Sequence, residues 1–307
     1  MSRAANSVLL SRGAGLLCLF KPRFTKILAC TIFCLLEVSF GFAAIEQTST
    51  AFRDTPPAKR GLVVESVAKK LDAGVAGVRP GDVLLGWKGK KTSGEFGSPF
   101  DLPYVWYEQA SLGPVTLVGA RNGRKRTWLL GGDTWGISTR PNFTAALCSV
   151  YPKAQDLAVA GKLLEAVNLF RAAAGADRDS SFPWLTAWFL SHAGQTLARA
   201  KSWPLVDEAY RQAIQESRDL PPEVRADILR QWADQFASRG DLVNVKKYRQ
   251  QALLEWQKLG PETVAAADTL LSISEIELRQ GDFDSAAADL RQSMTISDKI
   301  APLGIQT

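Results

Sequence analysis

The sequence holds a single histidine, His192, and a single cysteine, Cys148, outside its first 43 residues. A Ser-His-Asp or Cys-His catalytic device would have to use that histidine, and a zinc site needs several His or Cys ligands. The Gly-x-x-x-x-Gly-Lys phosphate loop and the Gly-x-Ser-x-Gly nucleophile turn are also missing from the sequence. We therefore predict that the chain is not an enzyme and that it uses no cofactor and no metal ion.

Outside the N-terminal segment, positive and negative charges nearly balance. The formal charge of the whole chain is +6. Residues 44–307 contain 32 Lys or Arg and 30 Asp or Glu, a net charge of only +2. A nucleic-acid-binding surface needs a local excess of basic residues, so no nucleic-acid partner is expected. The densest basic group brackets a tight turn and is interpreted as a solvated hairpin tip: Arg121, Arg124, Lys125 and Arg126.

The first 43 residues do contain a pattern typical of an export signal. Basic residues precede an apolar run at residues 27–36, and Gly41-Phe42-Ala43 offers a small-x-small cleavage pattern. Cleavage there would release a periplasmic or extracellular protein. The alternative is an uncleaved anchor in the inner membrane over residues 27–44, which is short for a membrane span and contains Glu37.

After a polar linker at residues 44–60, period-two patterning indicates a small β domain at residues 61–140. Asn122-Gly123 lies between two strand patterns and is a strong hairpin signal, because both turn positions need positive φ. Arg79-Pro80-Gly81-Asp82 predicts a second turn, and Asp101 is expected to cap a helix that extends to Glu108. The predicted strands are residues 61–67, 83–87, 115–118 and 126–130.

The stretches GLVVESVAKKLDAGVAGVRPGDVLLGWKGK and GPVTLVGARNGRKRTWLL, with the helix between them, resemble a bacterial PDZ domain. The resemblance implies a small sandwich or barrel with two helices that captures an extended peptide, often a free C-terminus, at a sheet edge. The usual apolar-Gly-apolar carboxylate loop is missing upstream of the first strand, but a candidate lies downstream at residues 130–138. The domain is therefore expected to begin at its third conventional strand and to end with the binding loop and the binding strand.

This permuted arrangement assigns the ligand contacts. Backbone amides of Trp135, Gly136 and Ile137 would receive the ligand carboxylate. The alternative is that residues 133–141 form only a linker and that the groove is missing. The opposite wall would come from the helix, through Pro103, Val105, Trp106 and Tyr107.

A longer periodicity covers residues 141–307. Four residue pairs recur at intervals of 40, 39 and 41 residues, each between two amphipathic helical patterns: Gly161-Lys162, Lys201-Ser202, Gly240-Asp241 and Gly281-Asp282. A period in this range is typical of a solenoid whose units bury their apolar faces on one another. Pro152 is expected in the first turn of a helix, because proline cannot donate a helical hydrogen bond.

The cleanest of these units places Ala267, Leu270 and Ile273 before its bend and Ala286 and Leu290 after it, which resembles a tetratricopeptide (TPR) repeat. The resemblance implies about four repeats whose first helices line a concave groove for peptides or partner helices. Mixed charges along the groove favour a polar protein partner over a phosphate-rich one. The expected groove positions are Trp188, Gln195, Arg199, Asp227, Arg230, Asp234, Asp268 and Glu275.

The order of leader, PDZ-like domain and long-period repeats resembles the N-terminal half of bacterial CHAT-domain TPR proteins. The expected fold class is multidomain α and β: a PDZ-like sandwich or barrel with two helices, then an all-α TPR solenoid. The expected function is a non-catalytic protein- or peptide-binding scaffold of the bacterial envelope. The alternatives are the sensor part of a larger caspase-like peptidase whose catalytic domain is absent from this chain, and a purely structural envelope protein. The last repeat shows no polar capping helix, so self-association through it is also predicted.

Overall fold

The computed structural model describes residues 61–132, 134–176 and 182–300. The predicted signal or anchor and the linker at residues 44–60 lie outside these ranges. An antiparallel sheet is followed along the chain by an array of helices, which confirms a mixed α and β fold with a helical C-terminal part. Among the helices of the described residues, none combines the length and the apolar character that a membrane crossing requires.

The sheet in the described residues is antiparallel throughout, with the strand order β5-β4-β2-β1-β6 and β3 beside β2. The predicted hairpin is confirmed: Asn122 and Gly123 have φ values of 51° and 73° and join β4 to β5. β6 pairs with β1, so the last strand in sequence lies beside the first. The strands are β1 (Leu62–Val67), β2 (Val83–Lys88), β3 (Ser93–Glu95), β4 (Val115–Arg121), β5 (Arg124–Leu130) and β6 (Ile137–Pro141).

Two short helices belong to the sheet part. α1 covers Asp72–Val75, and α2 covers Asp101–Val105 and continues as a π-helical turn over Trp106–Ala110; residues 101–110 are called the α2 segment below. The predicted capping role of Asp101 is wrong, because Phe100 occupies the N-cap. The Asp101 carboxylate instead accepts the N–H groups of Gly97 at 2.6 Å and Ser98 at 2.8 Å, which fixes the loop ahead of the helix.

The helical array consists of antiparallel pairs, and each predicted residue pair lies at the bend inside one of them. Gly161, Lys201, Gly240 and Gly281 have φ values of 83°, 56°, 74° and 79°, which is the left-handed backbone that ends a helix sharply. The helices are α3 (Ala145–Val159), α4 (Leu163–Ala176), α5 (Leu185–Arg199), α6 (Trp203–Glu216), α7 (Pro222–Ser238), α8 (Leu242–Leu259), α9 (Val264–Gln280) and α10 (Phe283–Ile300).

The expectation for Pro152 is wrong, because this residue lies inside α3 rather than in its first turn. Tertiary packing overrides the local cost of an interior proline, which is about 3 kcal/mol. Tyr151 and Ala154, on either side of it, are both buried in the core of the array.

The sheet part and the array share buried side chains. Phe100, immediately before the α2 segment, is 3% exposed and belongs to the core of the array. Phe143, just after β6, lies 5.0 Å from Tyr151 and 5.6 Å from Trp188 between ring centroids. The sheet part therefore packs directly against the first helices of the pairs.

Candidate functional site

The loop that precedes β6 is held against α1 by backbone hydrogen bonds. The N–H of Ala68 donates to the carbonyl oxygen of Gly136 at 2.8 Å, and the N–H of Ala73 donates to that of Trp135 at 3.2 Å. These two bonds fix the predicted carboxylate-binding residues Trp135, Gly136 and Ile137 at the entrance to β6.

Gly136 is required by the close approach of this loop to α1. Its φ is 64°, and a Cβ atom added there would lie 2.6 Å from Leu71 Cδ1. The neighbouring Trp135 is 4% exposed, and its indole nitrogen donates to the carbonyl oxygen of Gly131 at 3.0 Å. The side chain of Trp135 is therefore part of the domain core, and only its backbone can serve a ligand.

β6 is an edge strand, with β1 as its single strand neighbour in the part of the chain that the structure describes. The N–H of Asn142 donates to the carbonyl oxygen of Gly61 at 3.2 Å, which sets the alternation along the strand. By that alternation Ile137 and Thr139 direct their backbone groups away from β1, toward the open edge. The backbone of Pro141 also points away from β1, and proline has no N–H, as expected at a sheet edge. The segment is a paired strand rather than the linker of the alternative interpretation.

The predicted opposite wall is partly wrong. Val105 is 1% exposed and packs in the sheet core with Leu102, so it cannot line an open groove. Trp106 is partly buried against the same core, as is Ile137 at the start of β6. The structure thus brings Trp106 and Ile137 to one core, but it removes Val105 from the set of ligand contacts.

The side of the α2 segment that faces away from the sheet core packs on the helical array. Tyr104, Tyr107 and Glu108 share one helix face, by their spacing of three and four residues. The ring centroid of Trp256 lies 6.5 Å from that of Tyr104 and 6.4 Å from that of Tyr107. We call the array side of this contact the α7–α9 surface; it consists of Ala226, Arg230, Trp256, Ala265 and Ala266.

Glu108 caps α9 from the sheet part. Its carboxylate accepts the N–H of Val264 at 3.2 Å and the N–H of Ala265 at 2.8 Å. Burial raises the pKa of Glu108, and these two hydrogen bonds oppose the rise. A carboxylate at a helix N-terminus also interacts favourably with the helix dipole. The sequence analysis missed this contact, although the three-and-four spacing of Tyr104, Tyr107 and Glu108 was a usable signal.

Beneath the α2 segment, the predicted groove charges are paired with one another. The Arg230 guanidinium lies 5.7 Å from the Tyr107 ring, and it donates to Asp227 at 2.7 Å and to Asp234 at 3.1 Å. Arg249, which the sequence analysis did not single out, donates to Asp234 at 2.5 Å. Asp227 is 2% exposed. The expectation of a groove-facing, ligand-accessible Asp227 is therefore wrong, because the α2 segment and Arg230 cover it.

Asp268 and Glu275, the two predicted groove carboxylates on α9, are less fully paired than Asp227 and Asp234. Burial raises the pKa of Asp268, opposed by Arg249 and Arg230. Burial also raises the pKa of Glu275 to about 7. One carboxylate oxygen of Glu275, Oε1, is buried without a hydrogen-bond partner in the described part of the chain. Glu275 is thus a partly buried acid whose charge changes near neutral pH.

Glu275→Gln is expected to stabilise the protein at pH 8 and to have little effect at pH 4.5. The folded pKa of about 7 exceeds the ordinary value of 4.5, so the folded state binds the proton more tightly. The free-energy penalty of charging Glu275 in the folded state is therefore absent below pH 4.5. It grows between pH 4.5 and pH 7 and is complete above pH 7. Solvent screening reduces the gain to about 1 kcal/mol. Urea denaturation at both pH values measures it, with the exposed Glu165→Gln as control; an equal effect at both would contradict the assignment.

In the first half of the array the predicted groove positions differ in exposure. Trp188 is 5% exposed, with its ring 5.2 Å from that of His192; the expectation that it faces a ligand is wrong, because Phe143 and Tyr151 cover it. Gln195 is half-buried and donates to Gln231 at 2.9 Å. Arg199 is exposed, so it is the most accessible of these positions.

His192 is enclosed beside these residues. Burial and then Arg199 lower its pKa to about 4, so the imidazole is uncharged at neutral pH. Cys148 lies elsewhere, with its thiol 3.7 Å from the carbonyl oxygen of Phe143. Within residues 61–132, 134–176 and 182–300, no group of three or more His, Cys, Asp or Glu side chains is placed to hold a metal ion.

A small cavity lies where β1 and β6 meet α3, with a volume of about 160 Å³. Ligand pockets usually enclose about 300–1,000 Å³, so this space suits only a few water molecules. Its polar groups already bond to one another: Gln155 donates to the Tyr151 hydroxyl at 2.8 Å, and that hydroxyl donates to Glu65 at 3.4 Å. Burial raises the pKa of Glu65, opposed chiefly by Arg140. The lining residues are Glu65, Arg140, Phe143, Cys148, Tyr151, Pro152 and Gln155.

Comparison with known proteins adds little. No family model matches the chain, and no curated protein matches it at a significant level. BtubC (BKLC) from P. vanneervenii is similar in structure at 18% identity and a TM-score of 0.36, over 51% of this chain and 75% of that chain. The MamA RS-1 ArsTM double mutant is similar at 12% identity and a TM-score of 0.22, over 52% of this chain and 98% of that chain. At these scores neither likeness carries an argument about fold or function.

Proposed function

We propose that this chain is a non-catalytic, protein- or peptide-binding scaffold of the bacterial envelope, built from a PDZ-like domain and four TPR-like repeats. The observation that carries the proposal is that β6, directly after the Gly136 loop, has one edge that is paired with no other strand of the described residues. In this proposal the strand order β5-β4-β2-β1-β6 corresponds to a PDZ sheet entered at its third strand, and β6 takes the place of the binding strand. An extended peptide would add to β6 and place its terminal carboxylate on the amides at Trp135, Gly136 and Ile137.

The helical array would supply a second protein contact outside the area that the α2 segment covers. Besides Arg230, which contacts the α2 segment, five of the predicted groove positions keep exposed or partly exposed side chains: Gln195, Arg199, Asp234, Asp268 and Glu275. Their mixed charges fit a polar partner. The exported location and the PDZ and TPR assignments belong to this proposal, as do the lack of catalysis and the self-association through the last repeat.

Thr139→Pro tests the β6 edge and is expected to weaken peptide binding by at least about tenfold. The N–H of Thr139 points away from β1, so its removal costs no hydrogen bond inside the sheet. It does delete a hydrogen bond to an added strand, which is worth about 0.5–1.5 kcal/mol, and the proline ring obstructs the edge. The probe is a heptapeptide selected from a random library with free C-termini, measured on the full chain by fluorescence anisotropy.

The matched control is Thr139→Val, which keeps the N–H and the shape of the side chain and should bind as the unmodified chain does. Amidation of the peptide C-terminus should weaken binding if the amides at Gly136 and Ile137 receive the carboxylate. Selection of no peptide, or equal binding by Thr139→Pro and Thr139→Val, would refute the use of this edge.

A further inference from the structure

Within the described residues, the face of the sheet that is turned away from the core is exposed and partly apolar. Leu129 on β5 is 66% exposed and Leu85 on β2 is 37% exposed. Val118 on β4 lies between their strands and is half-buried. We call these three residues, with Thr116 and Thr127, the outer sheet face. Thr116 is paired with Leu129 and Val118 with Thr127, which places these four on one side of the sheet. Leu85 lies at the register shift of β2, next to Gly86, which is paired with Val118.

Basic residues stand at both ends of the outer sheet face. Lys88 is paired with Thr116 at one end, and Lys125 is paired with Ala120 at the other. None of the nearby basic side chains forms an ion pair with a described residue, and all of them are exposed. They are Lys88, Lys90 and Lys91 at the β2–β3 turn and Arg124, Lys125 and Arg126 beside the β4–β5 turn. By strand alternation Lys88 and Lys125 share the outer sheet face, whereas Arg124 and Arg126 point to the other side of β5.

The carboxylates of the sheet part do not balance this charge, because most of them are used internally. Residues 61–132 contain ten Lys or Arg and six Asp or Glu, whereas residues 133–307 contain 19 and 22. Asp82 is buried against Arg121, and Asp101 is bonded to its own loop. Glu108 caps α9. Glu95, paired with Gly86, is an exposed carboxylate on the outer side of the sheet. The sheet part nevertheless has an excess of exposed cations that the array lacks.

We propose that the outer sheet face binds the surface of an anionic phospholipid bilayer. Leu85, Val118 and Leu129 would enter the boundary between headgroups and acyl chains. Lys88 and Lys125 on that face, with Lys90 and Lys91 in the adjoining turn, would contact lipid phosphates, each contributing to attraction by a negatively charged leaflet. This interpretation replaces that of the hairpin as a merely solvated tip. It does not depend on peptide binding at β6, which uses a different edge of the sheet.

The apolar residues favour lipid over nucleic acid. Proteins that hold single-stranded nucleic acid combine cations with exposed aromatic rings on which the bases stack. The large exposed apolar residues of the outer sheet face, Leu85 and Leu129, are both aliphatic. Aliphatic side chains between two groups of lysine and arginine are instead typical of surfaces that lie on a membrane.

The test is flotation of the full chain with vesicles of phosphatidylcholine alone and with vesicles that contain about 30% phosphatidylserine, which makes their surface negative. The unmodified chain should partition more strongly to the charged vesicles, and less so at high salt. The triple variant Lys88→Glu, Lys90→Glu, Lys125→Glu should lose about 100-fold of that partition, at roughly fivefold per charge near the surface. Comparison of the two vesicle types removes the contribution of residues 27–44, which every variant shares.

The matched control is Lys153→Glu, Arg218→Glu, Arg291→Glu, which changes the net charge equally at exposed positions of the array that form no ion pair with another described residue. It should retain binding. Leu129→Asp should reduce binding about tenfold, and Leu129→Met should not. Equal partition of the unmodified chain to both vesicle types would overturn the proposal. So would equal loss in the two triple variants, or binding to single-stranded DNA through the same three lysines without binding to charged vesicles.

Discussion

Asp82→Ala is expected to destabilise the protein by about 3 kcal/mol or more, because it leaves a partly buried guanidinium without its counter-charge. Asp82 is fully buried and accepts from Arg121 Nε at 2.6 Å and from Arg121 Nη2 at 2.7 Å. It also accepts the N–H of Arg79 at 2.8 Å. One carboxylate therefore holds the turn at residues 79–82 against the end of β4. Its loss should be seen as a lower midpoint in urea denaturation.

An exposed ion pair provides the control for this prediction. Glu216→Ala removes the partner of Arg171, whose side chain is 43% exposed, and should cost under about 1 kcal/mol. The variant Arg121→Met should restore part of the stability of Asp82→Ala, because it removes the unpaired charge. If Asp82→Ala and Glu216→Ala had equal effects, the Asp82 contact would not be the structural link described here.

Gly119→Ala should destabilise the sheet by about 3 kcal/mol, the upper end of the usual cost of overpacking. A Cβ atom at this position would lie 2.1 Å from the carbonyl oxygen of Val83 and 3.0 Å from Trp128 Cζ3. The first contact is with backbone, so it cannot be relieved by rotation of a side chain. β2 and β4 would have to separate where their register already shifts, between Leu84 and Gly86.

Gly97→Ala is the matched control, since its added Cβ would have Asp101 Oδ2 as its nearest neighbour, at 3.7 Å. That distance is ordinary contact, and we expect a change of under about 1 kcal/mol. Thermal unfolding followed by circular dichroism compares the two variants directly. A Gly119→Ala protein as stable as Gly97→Ala would mean that β2 and β4 are less closely packed than described.

Features set by neighbouring residues could be predicted from the sequence. The Asn122-Gly123 hairpin and the four bends of the array depend on local backbone conformation, and each has the positive φ that its position demands. Asp82 was recognised only as a turn residue. Its partner Arg121 is 39 residues away and was assigned to a hairpin tip. Nothing in local periodicity records such a pairing.

The site predictions failed for two separate physical reasons. Val105 and Tyr107 were assigned to one wall, although residues two apart on a helix face different sides; Val105 enters the sheet core and Tyr107 meets the array. Trp188 and Asp227 were assigned to an open groove but are buried beneath other parts of the chain. Helix patterning identifies which residues face the array surface, but it cannot show that another part of the same chain covers that surface.

The link between β6 and α3 is only Asn142–Thr144. Three residues span at most about 10 Å, so the tether holds the sheet part at the mouth of the array even when the α2 segment is detached. A tether this short gives the α2 segment an effective concentration in the millimolar range or higher at the α7–α9 surface. A free competitor for that surface, at the lower concentrations reached in solution, would need a much higher affinity than the α2 segment to displace it. Partners of the array should accordingly bind beside the α2 segment rather than replace it.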